Sequence, residues 1–379
     1  MKYIDEFRNG DTAQKLAHRI AEDAHPDRVY RLMEFCGGHT HAIFRYGIPD
    51  LLPPNVRMIH GPGCPVCVLP IGRLDMAIRL VREQGVTLCT YGDMLRVPGS
   101  RKMSLLRAKA EGGDVRMVYS ATDALEVARR NPDKQVVFFA IGFETTTPPT
   151  AVAVKIAEAE GLANFSVYCN HVLTPPALIH LLETANPEDP EPVRIDGFVG
   201  PAHVSVVIGT DAYARFAEHY RKPVVISGFE PLDVLQSIWM LVRQLNDDRT
   251  EIENQYTRAV QHQGNLEAQR IVGEVLEVRE SFEWRGLGDV PYSALRVREA
   301  YARFDAERRF GVEVVRANEN KACECPAILR GAKKPTDCKV FGSVCTPENP
   351  LGSCMVSAEG ACAAYYTYGR YKDRKTEAA

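Results

Sequence analysis

Three cysteines in the first seventy residues stand where reactive or metal-binding side chains are expected. Cys36 opens the run Cys36-Gly37-Gly38-His39-Thr40-His41, and Cys64-Pro65-Val66-Cys67 follows Gly61-Pro62-Gly63. A Cys-x-x-Cys pair that opens a helix suits thiol redox chemistry, because the helix N-terminus lowers the thiol pKa; the same spacing suits metal ligation. Cys36, a single thiol on a Gly-Gly turn, reads as an activated nucleophile or a soft metal ligand. His39 and His41 carry less weight, since one of them serves equally well to orient a ligand or cap a helix. Glu144, in Gly142-Phe143-Glu144-Thr145-Thr146, suits a ligand-orienting group, part of a phosphate-like site or a helix cap. His171, His203 and Glu230 are open to similar readings. Cys89 and Cys169 fall inside apolar runs and read as buried, inert thiols.

A second group of thiols, Cys323, Cys325, Cys338, Cys345, Cys354 and Cys362, crowds a segment rich in Gly, Pro and Lys. Such a segment cannot bury six thiols as an ordinary core, so they are crosslinked, metal-bound or redox-active. Structural zinc usually shows two close pairs, whereas here only Cys323-Glu324-Cys325 is close and the later gaps are twelve, six, eight and seven residues. Irregular gaps favour an iron–sulfur cluster, whose ligands can come from separate loops; zinc and a disulfide scaffold remain open. A cluster takes four thiolates, and the two left over suggest a dithiol/disulfide couple.

The elements that position these groups follow from periodicity. Apolar runs at Val29–Phe35, Val56–Ile59, Val86–Thr90, Val115–Tyr119, Val136–Ile141, Ser166–Cys169, Gly197–Val199 and Val224–Ser227 read as buried strands. Helical patterns such as Leu74-Ile78-Val81 lie between them, which implies parallel α/β sheets with helices on both faces. Asn131-Pro132-Asp133 is a natural break. It divides the chain into an α/β domain over 28–132 with the Cys36 and Cys-x-x-Cys loops, and a second over 133–229 with the Glu144 loop. Beyond Phe229 helices are expected at Pro231–Leu245, Glu251–Gln261, Leu266–Val278 and Val297–Arg308. With the first helix, Thr12–Asp23, they form a third, mainly helical domain from 1–27 and 230–379. Ligands of open parallel sheets bind beyond the carboxyl ends of strands, and nearly every unusual segment falls at such an end. If the two sheets face each other, those loops meet in one cleft.

Composition narrows the function classes. The 379 residues hold 45% hydrophobic and 25% charged residues with a net charge of −3, and no long basic run, so nucleic acid is a poor partner. The N-terminal MKYIDEFRNGD has no apolar core of a signal peptide, and no stretch approaches eighteen apolar residues. A cytoplasmic, membrane-free protein is expected, which disfavours structural disulfides. Nucleotide patterns fail: GxxxxGK[ST] is absent, and Gly61-Pro62-Gly63 lacks the third glycine of a dinucleotide fingerprint.

Taken together, Phe35-Cys36-Gly37-Gly38-His39-Thr40-His41, Gly61-Pro62-Gly63-Cys64-Pro65-Val66-Cys67, Gly142-Phe143-Glu144-Thr145-Thr146 and the six-cysteine tail resemble the HypD family of hydrogenase maturation factors. The resemblance covers essentially the whole chain, with the motifs in the family's order. It implies a scaffold that works with a small partner, HypC, to build the Fe(CN)2CO group of nickel–iron hydrogenase. Cyanide then arrives from HypE with HypF, and the finished unit passes to the hydrogenase large subunit. By matching position, Cys36, Cys64 and Cys67 are the cysteines tied to iron binding and thiol redox chemistry. The family's C-x14-C-x6-C-x16-C pattern selects Cys323, Cys338, Cys345 and Cys362 for a 4Fe–4S cluster, leaving Cys325 and Cys354 as the redox pair. His39, His41, Glu144, His171 and His203 are assigned to positioning or proton supply. A ferredoxin-linked thiol–disulfide reductase would use the same groups and is the alternative expectation.

Overall fold

The computed structural model describes residues 5–185, 193–311, 313, 315–317 and 320–369. Two parallel sheets organise it. The first orders its strands β2-β1-β7-β8-β9, with β1 Tyr30–Glu34, β2 Val56–His60, β7 Gly197–Pro201, β8 Val224–Ser227 and β9 Ile252–Asn254. The second orders them β4-β3-β5-β6, with β3 Thr87–Thr90, β4 Val115–Met117, β5 Val136–Gly142 and β6 Phe165–His171. All pairings in both sheets are parallel. The α/β class and all eight expected strands are therefore present. β5 and β6 are buried at every residue, as unbroken apolar runs covered on both faces must be.

The strands are shared out differently from the expected division at 132/133. β1 and β2 pair with β7 and β8, and β3 and β4 pair with β5 and β6. The chain begins one sheet, completes the other, and returns to the first. Length and a local Asn-Pro break carry no information about this partition, because register between distant strands is set by packing. Phe35, just after β1, meets Phe198 of β7 edge-on (centroids 5.8 Å apart), a contact 163 residues distant in sequence.

The segment beyond residue 229 also departs from the all-helix expectation. Pro231–Asn246 is a helix, capped by reciprocal bonds of Glu230 and Asp233, and it lies against the helix Gly10–Asp23 as part of the first sheet's covering layer. Within the expected helix Glu251–Gln261, Ile252–Asn254 instead adds an edge strand to β8. Leu266–Val278 is helical only to Val275 and then forms β10, Leu276–Val278, antiparallel to β13, Leu295–Val297. Between these, β11 Ser281–Trp284 and β12 Gly288–Pro291 form a second ribbon. Phe282 and Trp284 are buried while Ser281 and Glu283 are not, a period of two that marks a strand.

One continuous core runs from Leu74, Leu80 and Phe139 at the second sheet to Trp284 of the ribbon. It also takes in Cys64, Cys67, Cys325, Cys345, Cys354 and Cys362. The tail thiols therefore pack directly under the Cys-x-x-Cys loop. Ser353 Oγ donates to Cys67 O (3.0 Å), and Arg285 donates its amide to Val68 O (2.8 Å) and its guanidinium to Ser353.

Candidate functional site

Loops from the carboxyl ends of both sheets and from the tail enclose a cavity of about 340 Å³. Cys36, after β1, lies on its wall with Gly63, Pro65 and Val66 after β2 and His203 after β7. Asp93, Phe143, Thr145 and Thr146 come from the second sheet, and Ser357 and Glu359 from the tail. The expected convergence of strand-end loops thus occurs, but with the tail as a third wall.

Cys36 is the extended N-cap of the helix Gly37–Arg45, so the first free amides of that helix point towards its sulfur. Two glycines must follow it. A Cβ on Gly37 would fall on Glu359, and one on Gly38 would lie 3.0 Å from the Phe229 ring. Gly63 is tighter, because a Cβ there would overlap the backbone of Phe35 and Cys36. Gly37 N–H donates to Gly63 O (2.9 Å), which locks the two loops together.

Beneath Cys36 lies the fully buried carboxyl of Glu34. Its Oε2 accepts the Cys36 amide (3.0 Å), while its Oε1 accepts Thr40 Oγ1 (2.5 Å) and bonds His60 Nδ1 (2.6 Å). A carboxylate in the last position of an apolar strand is a signal that the sequence reading passed over. The Cys36 sulfur is 3.7 Å from His203 Nδ1. Burial, with Glu359 and Glu34 nearby, pushes the Cys36 thiol well above the ordinary range, against the pull of the His39 and Gly38 amides. Burial lowers His203 to about 4, with His39 adding to the effect, so the Cys36–His203 pair is neutral near pH 7.

The other expected site residues fall into two groups. Cys64 and Cys67 are joined as a disulfide, with Cα atoms 5.2 Å apart, and Cys64 Sγ accepts the Cys67 amide (3.2 Å). Neither offers a thiolate in this state. His39 is buried with Nε2 between the Ser227 and Gly228 carbonyls and its ring on Phe229, where burial lowers its pKa. His41 is half-buried and meets Tyr368 edge-on (centroids 5.4 Å apart). Glu144 points away from the cavity and accepts the amide (2.7 Å) and hydroxyl (2.8 Å) of Thr174, holding the start of the helix Thr174–Glu183. Burial raises it to about 7. His171, lowered by burial to about 4, sits between Thr146 and Thr150.

In the tail, Cys323, Cys325, Cys354 and Cys362 adjoin one another. The Cys325 and Cys362 thiols bond Cys354 and lower it to about 5, while its bond to Cys325 raises Cys323. Arg285 supplies a positive charge beside Cys323 and Cys354. Leu351 N–H donates to Cys345 Sγ (3.4 Å), and Gly352 leaves no room for a Cβ beside the sulfurs of Cys323 and Cys325. Thiols of this kind, largely buried and met by N–H···S bonds, are the donor chemistry an iron–sulfur cluster takes. The four that adjoin are not the expected four, since Cys338 is not among them. Among the described residues no three His, Cys, Asp or Glu side chains stand in a metal-binding arrangement. Nor does any described helix have the length and apolarity to cross a membrane.

Comparison with known proteins matches the sequence to one family. The HypD model, described as "Hydrogenase formation hypA family", matches residues 11–369. The chain is 68% identical to the hydrogenase maturation factor HypD of Azotobacter vinelandii over 98% of both chains. It is 65% identical to the hydrogenase expression/formation protein HupD of Azotobacter chroococcum mcd 1, and 45% identical to the hydrogenase maturation factor HypD of Escherichia coli (strain K12), each over the full length of both chains. The chain belongs to the HypD family of hydrogenase maturation factors.

Proposed function

We propose that this chain, with HypC, is the scaffold on which the Fe(CN)2CO group of nickel–iron hydrogenase is assembled in the cytoplasm. It receives cyanide from HypE with HypF and passes the unit to the hydrogenase large subunit. The observation that carries this reading is Cys36, a soft donor on the wall of a cavity of about 340 Å³, 3.7 Å from a neutral imidazole. The iron is cargo. Its charge would offset the burial that holds the Cys36 proton in place, and His203 Nδ1 is placed to accept that proton.

Release of cyanide from a thiocyanate-type donor requires two electrons. A Cys64/Cys67 dithiol can supply both: the S–CN bond breaks, HCN and the donor thiol form, and Cys64–Cys67 closes to a disulfide. Atoms and electrons balance without another reactant. Reopening the disulfide falls to Cys325 and Cys354, whose sulfurs adjoin and whose loop touches Cys67 through Ser353. A 4Fe–4S cluster on Cys323, Cys338, Cys345 and Cys362 supplies one-electron reducing power when bound. Arg285 beside these sulfurs favours thiolate.

The test is an anaerobic infrared spectrum of the chain co-purified with HypC. Bands of metal-bound cyanide and CO are expected, and Cys36→Ala should abolish them; their persistence in the variant refutes the role of Cys36. The closed Cys64–Cys67 bond also supports a second reading, a ferredoxin-linked thiol–disulfide reductase. That reading predicts turnover of protein disulfides and no iron beyond one cluster, so iron per chain separates the two.

A further inference from the structure

Two basic cavities lie outside the cleft. The larger, about 460 Å³, runs along the β2 edge, where carboxylates stand among the cations: Arg31 faces Asp196, Lys333 pairs with Glu324, and Asp337 lies on the wall. The smaller, about 410 Å³, lies between the loop that carries Arg96, Arg101 and Lys102 and the tail residues Asn320 and Leu351. Among the described residues no carboxylate lines it. All three cations are exposed, and among the described residues Arg101 and Lys102 meet no acidic partner. Both also hold left-handed backbone, with φ of 54° and 60°. That conformation costs about 1–2 kcal/mol per residue and turns two adjacent cations outward.

The inner wall of this cavity leads to the thiol cluster of the tail. Leu351 N–H bonds Cys345 Sγ, and Asn320 O accepts the Cys323 amide (2.8 Å). Cys323 is half-buried, but the redox pair assigned above is closed off, with Cys325 at 3% and Cys354 at 0% exposure. A dithiol protein must touch one of those two sulfurs to open the pair, so it is excluded at this face; a one-electron carrier need only dock nearby.

We propose that the face formed by Arg96, Arg101 and Lys102 docks a small acidic one-electron carrier protein that reduces the tail thiol site. This rests on the redox role assigned to the tail above. Opening Cys64–Cys67 breaks one S–S bond, takes up two electrons and two protons, and forms two thiols; two carrier molecules are oxidised in turn. Interfaces of this kind are small and salt-sensitive, and are steered by charge.

The test uses the full chain, purified anaerobically, with an acidic 2Fe–2S ferredoxin as the probe. Stopped-flow spectra follow ferredoxin oxidation, and alkylation with mass spectrometry follows Cys64 and Cys67. At low salt, Arg101→Glu/Lys102→Glu should lower the second-order rate constant at least tenfold. The difference should close at high salt, and opening by dithiothreitol should be unchanged. Arg57→Glu/Arg194→Glu, an equal charge reversal in the other basic cavity, should keep the wild-type rate. Equal ferredoxin rates for the wild type and Arg101→Glu/Lys102→Glu overturn the docking face, as does an equal loss in Arg57→Glu/Arg194→Glu. A disulfide opened by dithiothreitol but never by ferredoxin also overturns it. A disulfide that no reductant opens refutes instead the redox role on which the proposal rests.

Discussion

Glu34→Gln tests whether one buried carboxyl fixes the position of Cys36. In the native site Oε1 meets Thr40 and His60, while Oε2 meets only the Cys36 amide. A glutamine of the same shape best places its carbonyl where two partners are, so its NH2 faces the Cys36 N–H. One hydrogen bond is lost and two donors oppose each other in a site with no water access. A buried donor left unpaired costs about 1–3 kcal/mol and a bond to a charged acceptor contributes about 1.5–3, so about 2–4 kcal/mol is expected. The cost falls on the Cys36 loop, since the Thr40 and His60 contacts survive. In the iron-free chain this raises the population of open loop by roughly 30- to 700-fold, at about 1.4 kcal/mol per decade. Alkylation of Cys36 by iodoacetamide, quantified by mass spectrometry, measures that population, because the closed thiol is 4% exposed. Cys89, buried in β3, should label at the wild-type rate and serves as the internal control. Thr40→Val removes a donor but leaves the Cys36 bond, so its effect should stay below tenfold. A Cys36 rate within threefold of wild type in Glu34→Gln would refute the reasoning.

Three further outcomes follow from the same geometry. Because burial holds the Cys36 thiol above its ordinary pKa and His203 is neutral, iron-free Cys36 should alkylate faster with each pH step up to 10; a plateau near pH 7 would show a thiolate–imidazolium pair instead. Glu144 is raised to about 7 from 4.5, so between these pH values the folded chain keeps a proton that the unfolded chain has lost, and stability falls as pH rises. Glu144→Gln cannot titrate; the stability of wild type relative to this variant should drop by about 3 kcal/mol from pH 4.5 to 7 in urea titrations, and a flat difference would contradict the burial argument. Cys325→Ala/Cys354→Ala with an intact cluster should abolish hydrogenase maturation in vivo, and full maturation would remove these thiols from electron transfer.

The parallel α/β class was legible because β5 and β6 are unbroken apolar runs, and runs of that kind occur where helices cover both faces. The Cys36 and Cys-x-x-Cys turns were legible because Gly and Pro accompany ligating side chains only where backbone must approach closely, as at Gly63. The ribbon β11–β12 went unread although Phe282 and Trp284 alternate with polar neighbours, because a four-residue strand is too short to outweigh helical patterns on either side. Glu34 and Arg285 went unread for another reason. A charged residue says that a partner exists without saying which, and the partner can be distant: His60 for Glu34 and Ser353 for Arg285.

The sequence alone determined the chemistry available here: soft thiols on glycine turns, a close Cys-x-x-Cys pair, six tail thiols, and strands that end in glycine-bearing loops. Those are properties of residue type and local spacing, which short-range sterics and periodicity encode. Only the tertiary structure decided which of them act together. It joined β1 and β2 to β7 and β8, put His203 beside Cys36, brought Glu359 over Gly37, and seated Ser353, next to Cys354, against Cys67. Each of those contacts spans more than a hundred residues of chain. They are fixed by collective burial of the two sheets, a sum over many weak contacts that no single motif carries.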